Sequence, residues 1–233
     1  MDTLADDPAF DQALVSAACA ELAEHGWHRL SVVAAARRAE LPLDRARARF
    51  PGRLAVLGRL GRMADQAALA AAPEEGSVRD RLFDLLMRRI DVLGGHRAGV
   101  LALLRALPTD PPLALFLGCA TRRSMRWMLE AAGVSGAGLR GELRVKGLVA
   151  VWLWTLRAWQ GDESADLAAT MAALDGALAR AERAAGWLGG GAKRGESRPE
   201  ANLPQGAAEG GVPGAGKEEE GQVTLPPGPP PGS

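Results

Sequence analysis

The sequence predicts an all-α fold, with a three-helix head that carries a helix-turn-helix, a six-helix body and a polar tail. Three observations predict it. Hydrophobic residues make up 47% of the 233 residues, and Ala and Leu, both good helix formers, dominate them together with abundant Arg. Tyr is absent and β-branched residues are sparse, which disfavours a sheet. Apolar residues recur at helical spacing between stop signals.

The elements follow in order. Asp7-Pro8 opens the first helix, because Asp is a good N-cap and Pro suits the first helical position. Phe10, Leu14, Ala17, Ala18 and Leu22 continue it to His25-Gly26, and Gly26 stops it. Trp27 and Leu30 anchor the next turn. Ser31 caps a short second helix over 32–39, residues 40–43 turn the chain, and a third helix covers 44–50 before Pro51-Gly52. A fourth helix spans 53–72. Ser77 caps a fifth that runs to 93, where Gly94-Gly95 ends it. A sixth covers 97–107, and Pro108 to Pro112 form a rigid break. A seventh, over 113–132, stops at Gly133. An eighth spans 139–160. Ser164, flanked by Glu163 and Asp166 at the positive end of the helix dipole, starts a ninth that reaches 185. From 188 the chain is Gly, Pro, Glu and Lys, too polar to offset chain entropy, so disorder is expected there. The expected divisions are a head over 8–52, a body over 53–187 and a tail over 188–233.

Several function classes find little footing. Cys19 and Cys119 are the only cysteines and sit in apolar helical patterns, so they read as small buried hydrophobes. His25, His28 and His96 do not share a helix face, and no metal is expected. No nucleophile–base arrangement, phosphate loop or paired carboxylates stand out, and neither an enzyme nor a cofactor is expected. The N-terminus is acidic and lacks an apolar export core, and no apolar run approaches the ~18 residues of a membrane span. A cytoplasmic location is the expectation.

Formal charge is zero, but its distribution is uneven. From Arg37 to Arg62 eight Arg stand against Glu40 and Asp44. Arg reads guanine bidentately and grips phosphate. The same density also suits a solvated basic face, an acidic partner or anionic lipid. Ala36 and Ala39 are small enough for the close helix crossing of a helix-turn-helix.

This stretch resembles the TetR family of one-component regulators. Ser31 matches its capping position, Ala35-Ala36-Arg37-Arg38-Ala39 its short helix, and Phe50-Pro51-Gly52-Arg53 its Phe-Pro-Ser-Lys segment. The chain departs from the family at Glu40, where a turn Gly is usual, and at Arg47 and Arg49, which replace an aromatic pair. The resemblance implies a TetR-like fold and a homodimer that reads an operator palindrome in double-stranded DNA. It also implies DNA contacts from Ser31, Arg37, Arg38, Arg45, Arg47, Arg49 and Arg53. The segment over 100–180 is also similar to the Coq-nine lipid-binding accessory proteins of ubiquinone biosynthesis, which implies an isoprenoid ligand and a head that no longer reads DNA.

In the body, Phe83, Met87, Phe116, Met125, Trp127, Met128 and Trp152 are large, adaptable side chains. They suit a pocket for a small apolar ligand or lipid, or plain core. Leu148, Trp152 and Trp159 on the eighth helix, with Leu167, Met171, Leu174 and Leu178 on the ninth, form apolar stripes. They are the expected dimer interface, since a helix pair apolar on more than one face needs a further covering.

Overall fold

The helix boundaries obey local capping chemistry. A computed structural model describes residues 7–73 and 75–189, the side chains of 185–189 excepted. Among these residues are nine α-helices and no strand. The expected tail from 190 onward lies outside the described residues. Helix α1 (Pro8–His25) is capped by Asp7, whose carboxylate accepts from the Phe10 N–H at 3.0 Å. A 3-10 turn (Trp27–Arg29) buries Trp27 and leads to α2 (Val32–Arg38), capped by Ser31. Helix α3 (Leu43–Arg49) precedes α4 (Arg53–Ala70). Helix α5 (Val78–Gly94) begins with a reciprocal capping box between Ser77 and Asp80.

The turn between α2 and α3 keeps helix-ending geometry without its usual glycine. Glu40 adopts φ +53°, the left-handed region that favours Gly. The Leu41 N–H donates to the Ala36 carbonyl at 2.8 Å and the Glu40 N–H to the Arg37 carbonyl at 3.1 Å. This is a complete Schellman pair. The expected Gly departure therefore leaves the turn intact at some backbone strain.

Helix α6 (Arg97–Ala106) is followed by a 3-10 turn and α7 (Pro111–Ala131), which Asp110 caps. Helix α8 (Gly138–Gly161) packs along α9 (Ala168–Gly189). Every expected helix forms, and the largest boundary shift is at α9. Ser164 does not open it. The Ser164 hydroxyl and the Thr170 hydroxyl and N–H all donate to the Asp162 carboxylate, and the helix starts four residues later.

Those donors hold the Asp162 carboxyl well below its ordinary value of 3.8, the Ser164 hydrogen bond first and Thr170 next. A depressed carboxyl contributes stability above its unfolded pKa and loses it as pH falls through the folded one. Stability measured by urea unfolding should therefore fall below about pH 4, and Asp162→Asn should flatten that acid limb. Equal acid slopes in both proteins would contradict the role.

The described residues belong to one compact unit with a continuous apolar core. Helices α1 and α6 cross so closely that a Cβ on Gly99 would meet the Cys19 carbonyl oxygen at 2.4 Å. Helix α4 starts beside α1 and continues against α5 and α7. No single helix among the described residues is long and apolar enough to cross a membrane.

Candidate nucleic-acid interface

Helix α3 spans only two turns, so its seven residues divide into two faces. Ala46 is buried, and Arg45 and Arg49 point back toward α1. Arg45 donates to Asp7 at 2.8 Å and lies over the Phe10 ring at 4.7 Å. Arg49 grips Asp11 with two bonds, at 2.7 and 2.8 Å. Asp11 is only 3% exposed and also pairs with Arg59 of α4 at 2.8 Å. One buried carboxylate thus joins α1, α3 and α4. The opposite face of α3 exposes Leu43, Asp44, Arg47 and Ala48.

The other basic residues also divide. Arg38 is held by Glu24 at 2.6 Å and Glu21 at 3.2 Å, and so balances the acidic cluster those residues make with His25. These carboxylates keep the Arg38 guanidinium above its ordinary pKa. Arg53 stacks on Trp27 at 4.2 Å and donates to its carbonyl at 3.2 Å. Arg37 is exposed on α2. Arg47 donates to the Pro51 carbonyl at 3.0 Å, at the end of its own helix. Ser31 is occupied as the cap of α2. A groove of about 320 Å³ runs beside Arg47, lined by Val32, Val33, Leu43 and Arg53 among others. Of the six expected arginine contacts, Arg37 and Arg47 are exposed and make no ion pair with an acid among the described residues, and Arg47 lines the groove.

Trp27 ties the turn after α1 to the start of α7. Its indole N–H donates to Asp110 at 2.7 Å. The same Asp110 accepts from the Leu113 N–H, and these two bonds, the Leu113 bond first, hold its carboxyl below the ordinary range.

The residues expected to bind a ligand scatter. Met125, Met128 and Trp152 are fully packed in the core, while Phe83, Met87 and Phe116 are half-buried against it. Trp127 stands apart on the outer side of α7, 59% exposed. Polar residues that sequence reading missed sit in this core. Arg89 is buried, pairs with Asp65, and lies over the Trp152 ring at 5.0 Å. Ser124 donates to Asp65 at 2.6 Å. Burial holds the Arg89 guanidinium below its ordinary pKa.

The expected interface stripe is used inside the chain's own core. Leu148, Trp152, Trp159, Leu174 and Leu178 are buried between α8, α9 and their neighbours, and Leu167 and Met171 are half-buried there. Trp159 is sealed by Arg97, whose guanidinium stacks on its ring at 4.5 Å and donates to the Trp159 and Asp162 carbonyls. A second stripe on α8 faces outward: Leu139, Leu143, Gly147, Ala150 and Trp154. These recur at helical spacing on one face. Arg180 of α9 lies over Trp154 at 5.5 Å.

No protein-family model matches the chain, and no curated protein matches its sequence. Solved structures do match its architecture. A TetR transcriptional regulator from Nitrosomonas europaea is 22% identical over 76% of this chain and 99% of its own, with a TM-score of 0.62. A TetR-family regulator from Streptomyces coelicolor is 20% identical over 78% of this chain and 84% of its own, with a TM-score of 0.54. A TetR transcriptional regulator from Rhodococcus sp. RHA1 is 17% identical over 76% of this chain and 97% of its own, with a TM-score of 0.52. The chain therefore has the all-helical TetR-like fold.

Proposed function

We propose that the protein is a dimeric DNA-binding transcriptional regulator of the TetR type, acting in the cytoplasm, whose body responds to a small apolar molecule. One observation carries the DNA reading. The inner arginines of α3 are consumed in fixing the helix to α1, which leaves a short, rigid outer face with Arg47 between Asp44 and Ala48. A helix held this way can enter a major groove without losing its register. Arg47 suits guanine, Asp44 a cytosine amino group, and Leu43 and Ala48 a thymine methyl. Arg37 on α2 suits backbone phosphate. Arg38, Arg45, Arg49 and Arg53 then serve as positioning residues, and Ser31 as a cap.

The outward stripe of α8, beside α9, supports pairing of two copies. The apolar effector rests on residue type alone: Phe83, Met87 and Phe116 are large, only partly buried side chains packed against the core. None of the similar solved structures favours the alternative drawn from the Coq-nine resemblance, a lipid carrier that has lost DNA binding. Nothing in the head favours catalysis over binding.

Selection of duplexes from a random pool tests the reading, followed by titration of the recovered sites. Affinity should fall with salt at a log–log slope of about −0.9 per phosphate neutralised. Arg47→Ala should cost about 1–3 kcal/mol on the selected site and much less on random duplex. Arg45→Ala should act first on melting temperature. A wild-type protein with no salt-dependent affinity for any duplex would overturn the regulator reading.

A further inference from the structure

The groove beside Arg47 combines an apolar lining with two cations. Phe50, only 3% exposed, lines it together with Val32, Val33 and Leu43. Val33 is 48% exposed and Leu43 42%, so water reaches this apolar surface. Arg47 and Arg53 also line the groove, and no acid does. Each guanidinium donates once to a carbonyl, Arg47 to Pro51 and Arg53 to Trp27, and neither forms an ion pair with an acid among the described residues. Asp110, the acid that feels the Arg53 charge, is engaged by the Trp27 indole and the Leu113 N–H. A guanidinium carries five N–H donors, so one carbonyl leaves it most of its capacity.

We propose that this groove binds a small amphipathic carboxylate, its head held by Arg47 and Arg53 and its apolar body laid against Val33, Leu43 and Phe50. Guanidinium forks match carboxylate oxygens, and charge-assisted bonds of this kind are among the stronger hydrogen bonds in proteins. Both side chains are tethered beforehand, by their carbonyls and, for Arg53, by stacking on the Trp27 ring at 4.2 Å. Less side-chain freedom is then lost on binding. An apolar surround also strengthens a charge pair beyond what it is worth on an open surface. The volume of about 320 Å³ lies at the low end of small-molecule sites, which run from roughly 300 to 1,000 Å³, so it suits a body of about eight carbons. Leu43 and Arg47 also belong to the outer face of α3, so an occupied groove would withhold them from a duplex. That consequence rests on the proposed DNA reading, whereas the binding itself does not.

The test is calorimetric titration of the full chain with sodium octanoate, beside 1-octanol, which lacks the charge, and acetate, which lacks the chain. Octanoate should saturate with a dissociation constant of roughly 0.1–1 mM, and the other two should bind at least roughly tenfold more weakly. Arg47→Ala should weaken octanoate at least roughly tenfold. Val33→Glu sets a carboxylate in the groove wall, and should abolish octanoate binding. Val33 is exposed in the first turn of α2, where an acid suits the helix dipole, so the melting temperature of that variant should stay within about 2 °C of wild type. Equal affinities for octanoate and 1-octanol overturn the proposal, and so does a Val33→Glu protein that binds octanoate as the wild type does. If the protein binds duplexes, octanoate at ten times its dissociation constant should weaken a selected duplex roughly tenfold. A duplex affinity untouched by octanoate would put the ligand outside the groove and overturns the proposal as well. If it binds no duplex, the regulator reading fails, and the octanoate titration still decides the groove.

Discussion

Asp11→Ala is expected to remove about 3–5 kcal/mol of stability, roughly 6–20 °C of melting temperature, the largest effect of any single polar substitution in the head. The expectation follows from what the carboxylate leaves behind. Asp11 is buried and answers Arg49 of α3 and Arg59 of α4 at once. Its removal takes a shared ion-pair partner from two largely buried guanidiniums that lie beside a third, Arg62. Breaking a buried pair costs far more than the pair itself contributes, because the surviving charge has lost its water and its partner. Asp11→Asn keeps an acceptor but not the charge and should cost less. Arg49→Ala should cost less still, since Asp11 then retains Arg59. Urea unfolding of the three variants gives the ranking. An Asp11→Ala protein within about 1 kcal/mol of wild type would mean that the carboxylate does not bind these arginines in solution.

The same triad shows where sequence reading stops. The helix starts at Asp7-Pro8 and Ser31 and the stops at Gly26 and Gly133 were legible, because a cap and its partner lie within a few residues. The four-residue spacing of Arg45 and Arg49 was legible too. Which way that pair faces was not, since its partners stand 38 residues earlier on α1. A signal existed all the same. Asp7 and Asp11 are also four apart, so two helices in contact bring the pairs into register, Asp7 on Arg45 and Asp11 on Arg49. Read alone, the basic cluster suggested six arginine contacts to DNA. Paired with its acids, it is in the proposed reading mostly a scaffold around Arg47.

Helix α9 failed for a related reason. Ser164 has the chemistry of a cap, but its hydroxyl donates to Asp162 in a turn that precedes the helix, and Asp162 also accepts from Thr170. Competition between side-chain acceptors and helix caps is a tertiary outcome that propensity does not encode. The polar cluster of Arg89, Asp65 and Ser124 was hidden in the same way, because its members lie on three helices and no local pattern joins them.

Helix α8 presents the remaining ambiguity, and it carries the second large prediction. Its sequence has two apolar stripes, and only packing decides which one turns inward. The stripe with Leu148, Trp152 and Trp159 is core, while Leu143, 54% exposed, and Trp154, 56% exposed, mark the outward one. Exposed aromatic and aliphatic side chains grouped on one helix face are the usual signature of a partner surface. In the proposed dimer Trp154 would be a central anchor, of the residue type that dominates interface energetics. Trp154→Asp should therefore raise the dimer dissociation constant by about 2–4 kcal/mol, roughly 30- to 1,000-fold. Leu143→Asp should add to it. Helical content should be unchanged, since neither side chain belongs to the protomer core. Leu174→Asp supplies the contrast. Leu174 is fully buried beside α8, and an unpaired carboxylate there should unfold the α8–α9 pair outright. Sedimentation and circular dichroism separate the cases: a folded monomer for Trp154→Asp, lost helicity for Leu174→Asp. The Trp154→Asp monomer should still bind duplex at low salt but lose its preference for a palindrome, because one head contacts too few base pairs to select a site. A wild-type protein that sediments as a monomer at micromolar concentration would remove the dimer, and a Trp154→Asp dimer would move its interface to another face.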